Sequence, residues 1–65
     1  MDKSSIEYFE ALLQYYYSHG NSFSELTFDF RIRSLTDCEN ILNYFKEDNE
    51  DLKIVINGLR KSLIS

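Results

Sequence analysis

Eight consecutive residues alternate without a break. Leu26, Phe28, Phe30 and Ile32 are interleaved with Thr27, Asp29, Arg31 and Arg33. Successive side chains on a strand point to opposite faces, so this spacing makes one apolar face and one polar face. A helix would scatter the same four apolar residues around its axis. The stretch therefore predicts a half-buried strand over 26–33. A strand there needs an apolar cover over its Leu-Phe-Phe-Ile face and a pairing partner for its backbone N–H and C=O groups.

The rest of the chain must supply both within one small domain. At 65 residues such a domain buries only about 60% of the surface its unfolded chain exposes. Domains of this size often lean on disulfides or a metal. Here Cys38 is the only cysteine and His19 the only histidine, so no internal disulfide forms and a His/Cys zinc site lacks ligands. Aromatic packing and self-association remain, and five Phe with five Tyr suit both. With no proline and two glycines, a flexible linker or a disordered chain is not expected.

Residues 4–19 read as a helix. Ser4 and Glu7 have the spacing of a capping box, and Gly20-Asn21 supplies a left-handed stop. Ile6, Phe9, Leu13, Tyr16 and Tyr17 form one stripe at helical spacing. Tyr8, Leu12, Tyr15 and His19 form a second beside it, while Glu7, Ala11, Gln14 and Ser18 mark the solvent side. Two stripes exceed what one core face needs; the tyrosines read either as core and core edge or as a subunit or partner interface, with Tyr8, Leu12 and Tyr15 the expected contacts of a homodimer. Phe23 stands ahead of the strand and out of phase with it, as a bulge would place it.

Residues 37–48 read as a second helix, opened by a Thr36–Glu39 capping box and by Asp37 in its first turn. Cys38, Ile41, Leu42 and Phe45 lie on one stripe, with Tyr44 beside it. This helix is the expected cover of the strand, and Cys38 is expected to be a buried, inert thiol. The C-terminal stretch admits two readings. Leu52–Ile56 has the β-branched content of a strand, and Asn57-Gly58 is a strong hairpin signal. Alternatively Leu52, Val55, Ile56, Leu59 and Leu63 share one face of a third helix. That reading puts Asn57-Gly58 mid-helix and leaves the sheet to be completed by dimerisation. The hairpin also provides the pairing partner that 26–33 needs, so the expected fold is a small two-layer α/β sandwich. Its order is helix-strand-helix-strand-strand, with both helices on one face of a short sheet. Phe28 and Phe30 would centre the core, and truncating either to alanine would cost about 3 to 5 kcal/mol. Arg31 and Arg33 would face solvent and be dispensable for stability.

Charge is uneven. Residues 37–51 carry six acids against Lys46, and residues 52–65 carry Lys53, Arg60 and Lys61 with no acid. Catalytic constellations are lacking. No glycine-rich phosphate loop or supported Ser/His/Asp or Cys/His arrangement is present, so neither an enzyme nor a cofactor is expected. Glu47, Asp48, Glu50 and Asp51, with Tyr44 as an adjacent ring, are the expected contacts to a basic protein surface. In size and acidity the chain is similar to small inhibitors of bacteriophages and mobile elements, though no motif ties it to a family. Two readings compete: a structural homodimer whose role lies in a larger assembly, and a nucleic-acid binder that gathers Arg31, Arg33, Lys53 and Arg60 on an open sheet face. The net charge of −4 and the lack of rings on that face argue against it. No apolar run approaches the ~20 residues of a membrane span. The lone thiol and a start unlike a signal peptide point to the cytoplasm.

Overall fold

The computed structural model describes residues 3–45 and 49–64, with side chains described for 7–44 and 49–64. Among the described residues three helices run α1 (Lys3–Ser18), α2 (Phe28–Phe45) and α3 (Glu50–Ile64). There is no strand among the described residues. The α/β sandwich is thus overturned, and so is a sheet completed by a second copy. The helical reading of the C-terminal stretch is the correct one.

α1 ends where Gly20 and Asn21 enter the left-handed region, at φ 67° and 56°. The Asn21 N–H donates to the Tyr16 carbonyl over 2.8 Å, the six-to-one bond of a Schellman ending. At the other end α1 begins at Lys3, so Ser4 lies inside its first turn rather than ahead of it. The Ser4 side chain of the expected capping box lies outside the described residues. Residues 19–27 then form a folded connection. The Ser24 N–H donates to Ser22 Oγ over 3.1 Å, the Leu26 N–H donates to the Phe23 carbonyl over 3.1 Å, and Phe23 is driven fully inside. It is a core plug, not a strand bulge.

The alternating stretch opens α2. Thr27 is its N-cap: Oγ1 accepts from the Phe30 N–H over 3.2 Å, and the Thr27 carbonyl accepts from the Arg31 N–H over 3.0 Å. Asp29 sits in the first turn, where the helix dipole favours a carboxylate. The buried stripe of α2 comprises Ser34, Cys38 and Ile41, flanked by half-buried Leu35 and Leu42. It continues toward the N-terminus the spacing that Cys38, Ile41 and Leu42 share. Phe28, Phe30 and Ile32 are consequently 59%, 37% and 41% exposed, and Phe28 and Phe30 do not centre the core. The physical reason is backbone pairing. A lone strand leaves its polar groups unpaired, whereas a helix satisfies them internally. Thr36 and Glu39 fall mid-helix and cap nothing; Glu39 instead pairs with Arg60 of α3.

α3 is capped by Asn49, whose Oδ1 accepts from the Leu52 N–H over 3.0 Å. Glu50 and Asp51 occupy its first turn. Leu52, Val55, Ile56 and Leu59 are buried at i, i+3, i+4 and i+7, which makes one face of this helix the floor of the molecule. Both other helices rest on α3 and meet each other only lightly. Phe9, Leu12, Phe23, Cys38 and Ile41 complete the core.

Asn57-Gly58 makes no turn, and Gly58 is buried mid-helix. A Cβ there would stand 2.6 Å from Tyr16 Cε1 and 2.9 Å from Phe23 Cε2. Both distances are shorter than carbon atoms tolerate. The glycine is present because two rings press on its bare backbone. Arg31, half-buried, turns to the end of the same helix and donates from Nη1 to the Ser62 carbonyl over 2.7 Å. Ser62 lies in the last turn of α3, where carbonyls lack helical partners and a cation is favoured. Arg31 is therefore a helix-end cap and not a dispensable solvent charge.

Two stability predictions follow from this packing. Gly58→Ala gains about 1 kcal/mol of helix propensity but overfills the contact, which typically costs about 1 to 3 kcal/mol. Since Phe23 is fully buried and cannot swing aside, the net effect is destabilising. Urea denaturation should show a lower midpoint, and a raised midpoint would contradict the contact. Phe23→Ala should cost about 3 to 5 kcal/mol, while Phe28→Ala should stay within about 0.5 kcal/mol. Equal losses for the two would restore the strand-centred core.

Candidate functional site

Because α1 and α2 both rest on α3 and scarcely on each other, a cleft stays open between α1 and the start of α2. Tyr8, Ala11, Leu12 and Tyr15 line it from α1, and Leu26 and Phe30 line it from the other side. Helical spacing aligns the α1 residues on one face; the opposite wall pairs Leu26, from the connection ahead of the Thr27 cap, with Phe30 in the first turn of α2. The cleft measures about 290 Å³ and is almost wholly apolar. A second cleft of about 520 Å³ adjoins it and shares Tyr8 and Phe30; Ile32, Arg33, Ser34 and Asp37 are among its other walls.

The α1 wall is held in place by contacts of its two tyrosines. The Tyr8 hydroxyl donates to Ser34 Oγ over 2.9 Å, bridging α1 to a Ser34 that is itself buried. Burial raises the Tyr8 pKa above the usual phenol value. The Ser34 hydrogen bond opposes this, Asp37 and Cys38 push it further up, and Arg33 pulls it down. Tyr15 stacks on His19 at 3.7 Å between ring centroids and on Phe23 at 6.0 Å. His19 Nδ1 lies 2.9 Å from the Tyr15 carbonyl. These rings are constrained before anything binds.

The structure brings together Tyr8, Leu12 and Tyr15 from the expected dimer stripe. Leu12 is buried and the two tyrosines are half-buried, so the stripe forms one wall of a groove and not a flat interface. Ala11, Leu26 and Phe30 were missed by sequence reasoning. Ala11 reads as a solvent position, although a small residue among Tyr8, Leu12 and Tyr15 at helical spacing is the signal that exposes a groove floor. Leu26 and Phe30 become neighbours only once 28–45 is helical. Of the expected acidic contacts, Glu50 and Asp51 are exposed and serve the first turn of α3. Tyr44 is 60% exposed near the end of α2, and Glu47 and Asp48 lie outside the described residues. The open sheet face of the nucleic-acid reading does not exist. Arg31 caps α3, Arg33 lies 3.6 Å from Asp29 and Arg60 pairs with Glu39. Lys53 lies apart from Arg31 and Arg33, in a polar cleft between α2 and α3 that it shares with Asn40, Asn43, Asn57 and Arg60.

Among the described residues, no group of three or more His, Cys, Asp or Glu side chains is placed to hold a metal. No helix there is long and apolar enough to cross a membrane. The chain matches no protein-family model, no curated protein and no solved structure.

Cys38 is fully buried on the α2 stripe. Burial pushes its thiol from 9.0 up to about 12, and the flanking Asp37 and Glu39 carboxylates add to the rise. The thiolate is the reactive form, so native Cys38 should resist alkylation at pH 8 and react at the rate of unfolding. The sign of the linkage follows. The folded state holds this proton more tightly than the unfolded state, so the stabilisation is complete below pH 9.0 and is lost as pH rises toward about 12. The raised Tyr8 phenol acts in the same direction. Urea midpoints should fall through this window, and the fall should be shallower in Cys38→Ala. A flat profile would contradict the burial of both groups.

Proposed function

We propose that this chain is a non-enzymatic protein-binding module, of the inhibitor or regulator kind, that acts in the cytoplasm by occupying a partner's surface. One observation carries the reading: a small helical fold leaves open an apolar groove whose α1 tyrosines are positioned in advance by Tyr8–Ser34 and His19–Tyr15–Phe23 contacts. Rigid aromatic anchors are what protein interfaces concentrate, since they bring large area at small entropy cost. A catalytic reading has little support, with the one thiol sealed in the core and the one histidine out on the surface. A nucleic-acid reading is weakened by the engagement of Arg31, Arg33 and Arg60.

Ala11→Arg places a long charged side chain over the groove from an exposed helix position, so the fold should be retained. Affinity capture from the native host, with and without nuclease, should recover a protein that survives nuclease with the original chain and is lost with Ala11→Arg. If Ala11→Arg retains that protein while Glu50→Lys with Asp51→Lys loses it, the acidic turn of α3 is the contact and the groove reading is wrong. Recovery of nucleic acid alone would overturn both.

A further inference from the structure

We infer that the groove between α1 and the start of α2 receives a basic amphipathic helical segment of its partner, apolar on one face and flanked by lysine or arginine. The inference rests on the protein-binding reading above and adds the chemistry of what binds. Shape is the first argument. The apolar cleft of about 290 Å³ stands open to solvent rather than enclosing a cavity. The second cleft, mostly apolar but edged by Arg33, Thr36 and Asp37, continues it past the shared Tyr8 and Phe30. Together they make a trough with successive places for side chains. A helix presenting anchors at i, i+3 or i+4 and i+7 fits such a trough and satisfies its own backbone while doing so.

Charge decides among occupants of that shape. Asp37 lines the second cleft; Glu7, one turn before Ala11, Glu25, next to Leu26, and Asp29, next to Phe30, are exposed carboxylates adjoining lining residues in the chain. The opposing charges are few. Arg33 lines the second cleft but lies 3.6 Å from Asp29, and Arg31 is turned away to Ser62. A rim of this sign attracts a cationic segment and repels nucleic acid. It also repels a second copy of this chain, whose net charge is −4 and which would set its own acidic rim against the first. Like charges brought together across an interface are a strong selector against the wrong partner.

The test uses a display library of random 16-residue peptides, selected on the intact chain and counter-selected on Ala11→Arg. The expected result is enrichment of peptides with Leu, Ile or Phe at helical spacing and a net positive charge. A synthesised member should bind about three- to tenfold more weakly to Asp37→Lys and should weaken as salt is raised. Circular dichroism of Asp37→Lys, expected to match the original chain, separates loss of contact from loss of fold. Enriched peptides that are sensitive to Ala11→Arg but neutral or acidic would overturn the inference and leave the groove reading intact. No enrichment that depends on Ala11 would overturn both. Sedimentation of the chain alone over a concentration series should show a monomer. Self-association abolished by Ala11→Arg would show that a second copy fills the groove and overturn the inference.

Discussion

The contact of two aromatic rings with a bare stretch of helix is what the fold depends on. Tyr16 and Phe23 approach Gly58 so closely that no larger residue fits without displacement. Through this contact α1 and the connection after it lie against α3, and Phe23 is sealed from solvent. A glycine in mid-helix weakens the helix by about 1 kcal/mol. Close packing of two rings against its backbone returns more than that, because dispersion falls steeply with even a small gap. The residue that most resembles a turn signal thus fastens two helices together.

Around this contact the ends of the helices are secured by polar groups from elsewhere in the chain. Thr27 and Asn49 satisfy the opening N–H groups of α2 and α3. Arg31 from α2 satisfies a closing carbonyl of α3. Half of the conspicuous acidic run thereby acquires a structural role, since Glu50 and Asp51 lie at the positive end of the α3 dipole. The same economy explains why the arginines do not form a basic patch: each is turned to a separate acceptor.

The groove follows from how the helices are arranged. With α3 serving as the floor for both α1 and α2, a seam between those two is left unfilled. Tyr8 spans one part of it through Ser34, and the remainder is the apolar cleft. A fourth element would fill such a seam in a larger domain. Here the walls are apolar and the α1 tyrosines are held by their neighbours, a combination suited to receiving a side-chain face from outside.

Periodicity in the sequence determined α1 with its left-handed stop at Gly20-Asn21, the apolar stripe of Cys38, Ile41 and Leu42, the buried thiol, and Tyr8, Leu12 and Tyr15 as a shared face. These are local, because helical spacing and a positive-φ glycine are written into neighbouring residues. Tertiary structure alone decided the state of 26–33 and of 52–63. The alternation of Leu26 to Ile32 is a strand signal only if another strand exists to pair with it, and the candidate partner at 52–56 is helical because its Leu52, Val55, Ile56 and Leu59 are buried together by α1 and α2. Gly58 reads as a hairpin turn until Tyr16 and Phe23, far away in the chain, are seen to need its missing side chain. The groove was half legible for the same reason: its α1 wall is a periodic stripe, while Leu26 and Phe30 join it only through the helical fate of the segment that follows Thr27.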